Sequence, residues 1–171
     1  MNPTTFIWGF GIVTGILITV LLLKCMNKDG KTKTKYDERQ QRARGEAYKY
    51  GFFATLITCA IFMLLETSKL ISILDYTTYF IAIVIGVIVQ FSYAIFHDAY
   101  IGLNTNMKKY TIFMVIVGII NLLGGIMPLI HGEFLVDGHF DTSFINLLCS
   151  VMLLILAGEL AVKQILDKKE D

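Results

Sequence analysis

Eleven residues, His131-Gly132-Glu133-Phe134-Leu135-Val136-Asp137-Gly138-His139-Phe140-Asp141, gather two histidines and three carboxylates. Imidazole and carboxylate suit zinc or manganese, so Glu133, His139 and Asp141 are the candidate ligands. Their spacing matches no recognised metal loop, and the expectation is an acidic connection that holds no metal. Glu159 is the one carboxylate inside an apolar run. Lys163, four residues on, is its expected helical partner, with a snorkelling stem. Gln90, Asn121 and Asn146 place one amide on each of three apolar stretches, Asn146 on the one that carries Glu159. Each belongs to a stripe at helical spacing: Gly86, Gln90, Tyr93, His97 and Asn104; Gly118, Asn121, Gly125 and Pro128; Asn146, Ser150 and Ala157. Small residues let helices approach, and amides bond across them, so packing is the expected role and a solute path the alternative. Coupled transport needs carboxylates or histidines near the midplane of a membrane, and these runs place none there. No HExxH, GxSxG, P-loop or dinucleotide glycine pattern occurs, so no enzyme activity and no cofactor is expected. Cys25, Cys59 and Cys149 are scattered, without a CxxC.

The elements that carry these residues are apolar. Of 171 residues, 55% are hydrophobic and 17% charged, with a mean hydropathy of +0.63. A soluble domain carries about 25% charged residues. What remains outside the apolar runs cannot form a core of its own, which excludes a tethered enzyme domain, a nucleic-acid-binding domain and a disulfide scaffold. Crossing a bilayer takes roughly 20 apolar residues as a helix. Five stretches approach that length: 6–24, 50–66, 79–97, 110–130 and 144–163. The runs are continuous, whereas barrel strands alternate apolar and polar residues, so helices are the reading. Residues 1–5 lack a basic residue, and Leu22-Leu23-Lys24 lacks the small residues of a processing site. The first stretch is therefore expected to be a retained helix. Within it Gly11 and Gly15 form a GxxxG.

Lys and Arg counts set the orientation. Counted from the boundary residue Lys24, the first connection holds nine, the second only Lys69, the third Lys108 and Lys109, the fourth none, and the C-terminal segment, from the boundary residue Lys163, three. One side thus has fourteen against one. The N-terminus is expected outside, with the first connection, the third and the C-terminus cytoplasmic. Trp8, Tyr76 and Tyr79 fall at the outer boundary and Tyr48, Tyr50 and Tyr110 at the inner one, where aromatic belts sit.

Connection 25–49 carries most of the polar information. Lys28 to Lys35 reads as a flexible basic strip able to meet anionic lipid, although topology alone would demand its charge. Beyond it, Asp37 can cap a helix while Gln40 reaches back to the cap. Glu38 and Arg42 are spaced as a helical ion pair, and the helix can run on into the second span. Asp98 leaves the third span on the side of Arg39, Arg42 and Arg44 and is expected to pair with one of them. Together Asp37, Glu38, Arg39, Gln40, Arg42, Arg44, Asp98 and Tyr100 are the candidate interaction residues. Lys49-Tyr50-x-x-Phe53 recurs as Lys109-Tyr110-x-x-Phe113; few other positions repeat at that offset.

Asp37-Glu38-Arg39-Gln40, followed by Arg44-Gly45-x-Ala47-x-Lys49-Tyr50-x-Phe52-Phe53, resembles an uncharacterised domain-of-unknown-function family of small bacterial multi-pass membrane proteins. Asp98-Ala99-Tyr100 and Gly118-Ile119-Ile120-Asn121-Leu122 resemble its later blocks, so the likeness runs from about residue 36 onward. It implies a membrane protein of Gram-positive-type bacteria and brings no activity, cofactor or catalytic residue. The expectation is an all-α bundle of five transmembrane helices in the cell membrane, N-terminus outside and C-terminus cytoplasmic. Its expected role is that of a non-enzymatic accessory or regulatory protein. The expected partners are the bilayer, anionic lipid at the basic connection, and a membrane protein or a second copy of the chain, with no nucleic acid. The alternative is a small transporter or channel with a polar path between the third, fourth and fifth helices.

Overall fold

The computed structural model describes residues 17–68, 76–132, 135–136, 139–141 and 143–170. It contains five helices: α1 (Leu17–Met26), α2 (Glu38–Thr67), α3 (Tyr76–Phe96), α4 (Met107–His131) and α5 (Ser143–Glu170). A two-stranded antiparallel hairpin, β1 (Leu135–Val136) and β2 (His139–Phe140), pairs Leu135 with Phe140 and Val136 with His139. Four helices, α2 to α5, are long and apolar enough to cross a membrane, and the described part of α1 is shorter. The chain has the character of a membrane protein. Many large apolar side chains lie on the outer faces, Leu64, Ile120, Leu123 and Ile130 among them. That much exposed apolar surface on a soluble monomer would mark an aggregation site; facing lipid it is the expected arrangement.

Local chemistry sets the helix ends. Asp37 accepts from the Gln40 amide at 2.7 Å while the Gln40 side chain accepts from the Asp37 amide at 3.3 Å, the capping box expected from sequence. From there α2 runs unbroken for 30 residues, about 45 Å, so the polar segment 38–49 and the second apolar run are one helix. The α4 cap is Asn106, which accepts from the Lys109 amide, and its far end stops at Gly132 in the left-handed region. Helix α5 continues past the expected limit of 163 to Glu170.

The helices form a layer in the order α2–α3–α5–α4, with extensive contact between successive members. Between α2 and α3 the approach is closest at Gly51 and Gly86. A Cβ on Gly86 would lie 2.8 Å from the Gly51 carbonyl and overlap the Thr55 hydroxyl. On the α4–α5 side, Gly125 meets the backbone of Leu147 and Gly118 meets Leu154. The core gathers towards the end that holds the α2 N-terminus. One cluster there joins Ile95, Met114, Leu156, Ala157 and Leu160, and a second joins Ala47, Ala94 and Ala99.

Candidate interaction face and interfacial cavity

At that end the chain between α1 and α2 lies as a strap across the turn joining α3 to α4. Met26 and Lys28 bond to the far side of the turn: the Asn106 amide donates to the Met26 carbonyl at 2.9 Å, and the Lys28 amide to that of Asn104 at 2.6 Å. The Leu103 amide closes the other end on the Lys35 carbonyl at 2.9 Å. Buried Asn104 ties the strap internally. Its carbonyl accepts from the Lys35 amide at 2.8 Å, and its NH2 reaches the Asp29 carboxylate at 3.1 Å and the Lys33 carbonyl at 3.0 Å. Asn27 accepts from the Thr105 hydroxyl and donates to the Lys31 carbonyl. The Lys31 amide, the Asn104 amide and Lys35 together hold the Asp29 carboxyl below the usual range. Residues 28–35 are therefore a folded strap, which corrects the expected flexible strip. Asn27, Asp29 and Gly30, whose φ is +63°, are the turn formers that signal it; the decisive partner, Asn104, is remote in sequence.

The turn itself closes α3. The Ala99 amide donates to the Ala94 carbonyl and the Asp98 amide to that of Ile95, a Schellman arrangement with Asp98 at the left-handed position, φ +57°. Glycine is the usual choice there, so the carboxylate has to do something glycine cannot. It pairs with Lys163 at 2.9 Å and with Arg39 at 3.4 Å. The expected arginine partner is thus Arg39, and the closer cation is a lysine of α5. Beside them Gln40, 5% exposed, donates through Nε2 to the carbonyls of Asp98 at 2.5 Å and Ile101 at 3.3 Å. One side chain therefore caps α2 and fastens it to the α3–α4 turn.

Other expected residues separate. Glu38 and Arg42 are exposed and form no ion pair with each other among the described residues. Tyr100 turns inward, packing on Phe91 with ring centroids 5.0 Å apart and sharing a hydrogen bond of 3.0 Å with the Tyr110 hydroxyl. Burial, then the neighbouring Tyr110 hydroxyl, pushes its pKa up. Arg44 stacks over the Tyr36 ring at 4.1 Å and donates to the Ala99 carbonyl at 3.4 Å. Beneath the strap lies a cavity of about 280 Å³, bounded by Leu23, Tyr36, Arg44, Phe91, Tyr100 and Tyr110 among others. Nothing in the spacing of those residues foretells it.

Within the apolar runs, Glu159 does not pair with Lys163. Lys163 turns outward to Asp98 and Asp167, whose carboxylates lie beyond the apolar run and offer two partners at 2.9 and 2.8 Å. One Glu159 oxygen accepts from the Ser92 hydroxyl at 2.8 Å, and the other is buried without a hydrogen-bond partner. Gln90 stands against Gly51 at the α2–α3 contact, Asn121 bonds back to the Val117 carbonyl, and Asn146 lies near Gly124. Gln90 and Asn146 therefore lie at different helix contacts, α2–α3 and α4–α5, and Asn121 spends its amide on its own helix. Of the metal candidates, Glu133 lies outside the described residues, as do Trp8 and the Gly11–Gly15 pair. The backbone of His139 lies in β2, and the Asp141 carboxylate accepts from the Ser143 amide at 2.9 Å, at the start of α5. Among the described residues no group of three metal-ligating side chains assembles. No family model, no curated protein and no solved structure matches this chain.

Proposed function

We propose that the protein is a non-enzymatic, multi-pass component of the bacterial cell membrane, with α1 completing a fifth span. Its N-terminus is outside and the strap face cytoplasmic, where it acts as an accessory or regulatory partner of another membrane protein. One observation carries this reading: the polar residues of the strap face divide into two sets. Asn27, Gln40 and Asn104 are buried and spent on holding the face together. Lys28, Lys31, Lys33, Arg42 and Lys49 stand outward, exposed and without an ion-pair partner among the described residues. A folded scaffold that presents a fixed cationic row suits a complementary acidic surface or an anionic membrane. The resemblance to bacterial membrane proteins, carried by the same 37–53 segment, agrees with it. The alternative of a small transporter draws less support, because Gln90 and Asn146 lie at different helix contacts and Asn121 bonds back to its own helix.

Purification in a mild detergent from native membranes tests the proposal. A second protein should co-purify in stoichiometric amount and be lost on Arg42→Glu, whose side chain makes no bond among the described residues. A chain that purifies alone, together with solute flux in liposomes that Gln90→Ala abolishes, would replace this reading with transport.

A further inference from the structure

The cavity beneath the strap has an unbalanced charge. Its walls come from α1, the strap, α2, α3, the α3–α4 turn and α4, and Arg44 is the one charged side chain on them. That guanidinium is half-buried. It gives one N–H to the Ala99 carbonyl, stacks on Tyr36 and interacts with that residue's hydroxyl, and makes no ion pair among the described residues. Arginine carries five N–H donors and does not lose its proton, so most of its hydrogen-bonding capacity remains unused. A positive charge drawn partly out of water without a counter-charge is costly, and a bound oxyanion offsets that cost with paired, charge-assisted bonds.

The remaining walls define the rest of a ligand. Leu23 and Phe91 are apolar, and Tyr36 and Tyr100 bring neutral phenol groups. A volume of about 280 Å³ is at the lower edge of the range of small-ligand sites, roughly 300–1,000 Å³. It suits a head group or a small metabolite. The strap above it carries exposed Lys28, Lys31 and Lys33, which raise the local concentration of anions.

We infer that this cavity binds a phosphate ester, the oxyanion on Arg44 and the organic portion against Leu23 and Phe91. A phospholipid head group and a soluble sugar or glycerol phosphate share that chemistry. The site stands independently of any protein partner, which would meet the outward lysines rather than the cavity.

The test is thermal unfolding of the full chain in a neutral detergent, followed by circular dichroism. Dioctanoyl phosphatidylglycerol is titrated in one arm and glycerol 3-phosphate in the other. At least one should raise the unfolding midpoint: the lipid alone assigns a head group, and both together assign the phosphate irrespective of source. Arg44→Gln should weaken the effect about tenfold or more, while Arg39→Gln, removing the same charge from an exposed position, should leave it within about twofold. Should Arg44→Gln fail to fold, Thr34→Trp, which fills the cavity from its wall without changing charge, must weaken the effect to the same degree. No rise in either arm, or equal loss in the two arginine variants, overturns the inference.

Discussion

Gln40 shows how much a single side chain carries at the residue scale. As the third residue of a capping box its local role is legible from Asp37-x-x-Gln40, because the box depends on residues three apart. Its two bonds to the carbonyls of Asp98 and Ile101 are not legible, since they join residues 58 and 61 positions away. Gln40→Glu preserves the shape and removes both donors, leaving carbonyls and a carboxylate facing one another. It should cost about 2–3 kcal/mol in a denaturation series, where Gln41→Glu, on the exposed side of the same turn, should cost little. Asp98 gives a graded comparison. Lys163 is 17% exposed at the side chain and Arg39 72%, so the first pair is shielded and the second is screened by solvent. Lys163→Gln should lower stability by about 1 kcal/mol and Arg39→Gln by a few tenths at most. The reverse ranking would show that the left-handed Asp98 serves Arg39. Asp29 supplies a pH dependence. Its folded pKa is depressed below the ordinary carboxyl value, so its contribution is complete above that value and fades as the pH falls through the lower folded one. Acid unfolding below about pH 4 should therefore be shallower in Asp29→Asn than in the parent chain.

Elements were legible in proportion to their periodicity and length. The four long apolar runs read directly as helices because continuous apolar sequence of that length has few other solutions. The capping box likewise marks where α2 begins, and the strap escapes notice because its order comes from Asn104. The helical stripes mark Gly86, Gly118 and Gly125 as packing positions, but the partner of each is hidden, since Gly51 and Gly86 lie in different runs. At their contact a methyl group on Gly86 meets the Gly51 carbonyl as well as Thr55. Gly86→Ala should push α2 and α3 apart and cost about 1–3 kcal/mol, with Gly86→Leu failing to assemble. Thr55→Ala should rescue Gly86→Ala only in part, because the carbonyl clash remains. A full rescue would mean that the threonine alone sets the spacing. By contrast Gly45, with nothing within 4 Å of its missing Cβ, should accept alanine without loss.

Across the whole molecule, charge placement is the feature most plainly written in sequence, and the proposed orientation rests on it. Impermeant maleimide applied to intact cells should leave Cys25 unlabelled while a permeable reagent reaches it, and Ser68→Cys should show the opposite accessibility. Labelling of Cys25 from outside would invert the proposed topology. The layer order α2–α3–α5–α4 also has a bearing on how the chain is made. Helices α2 and α3 form a pair as soon as both have been synthesised, but α4 has its extensive contact with α5, and α5 is what links that pair to α3. A ribosome that has just released α4 into the bilayer has therefore produced a helix still waiting for its neighbour. Until the last segment emerges, Gly118 and Gly125 lack Leu154 and Leu147, the α5 residues they pack against. Arrest of translation before α5 should thus leave a half-built protein that quality-control proteases recognise, with its first hairpin intact and its fourth helix held only at its N-terminal end, through Asn106, Tyr110 and Met114.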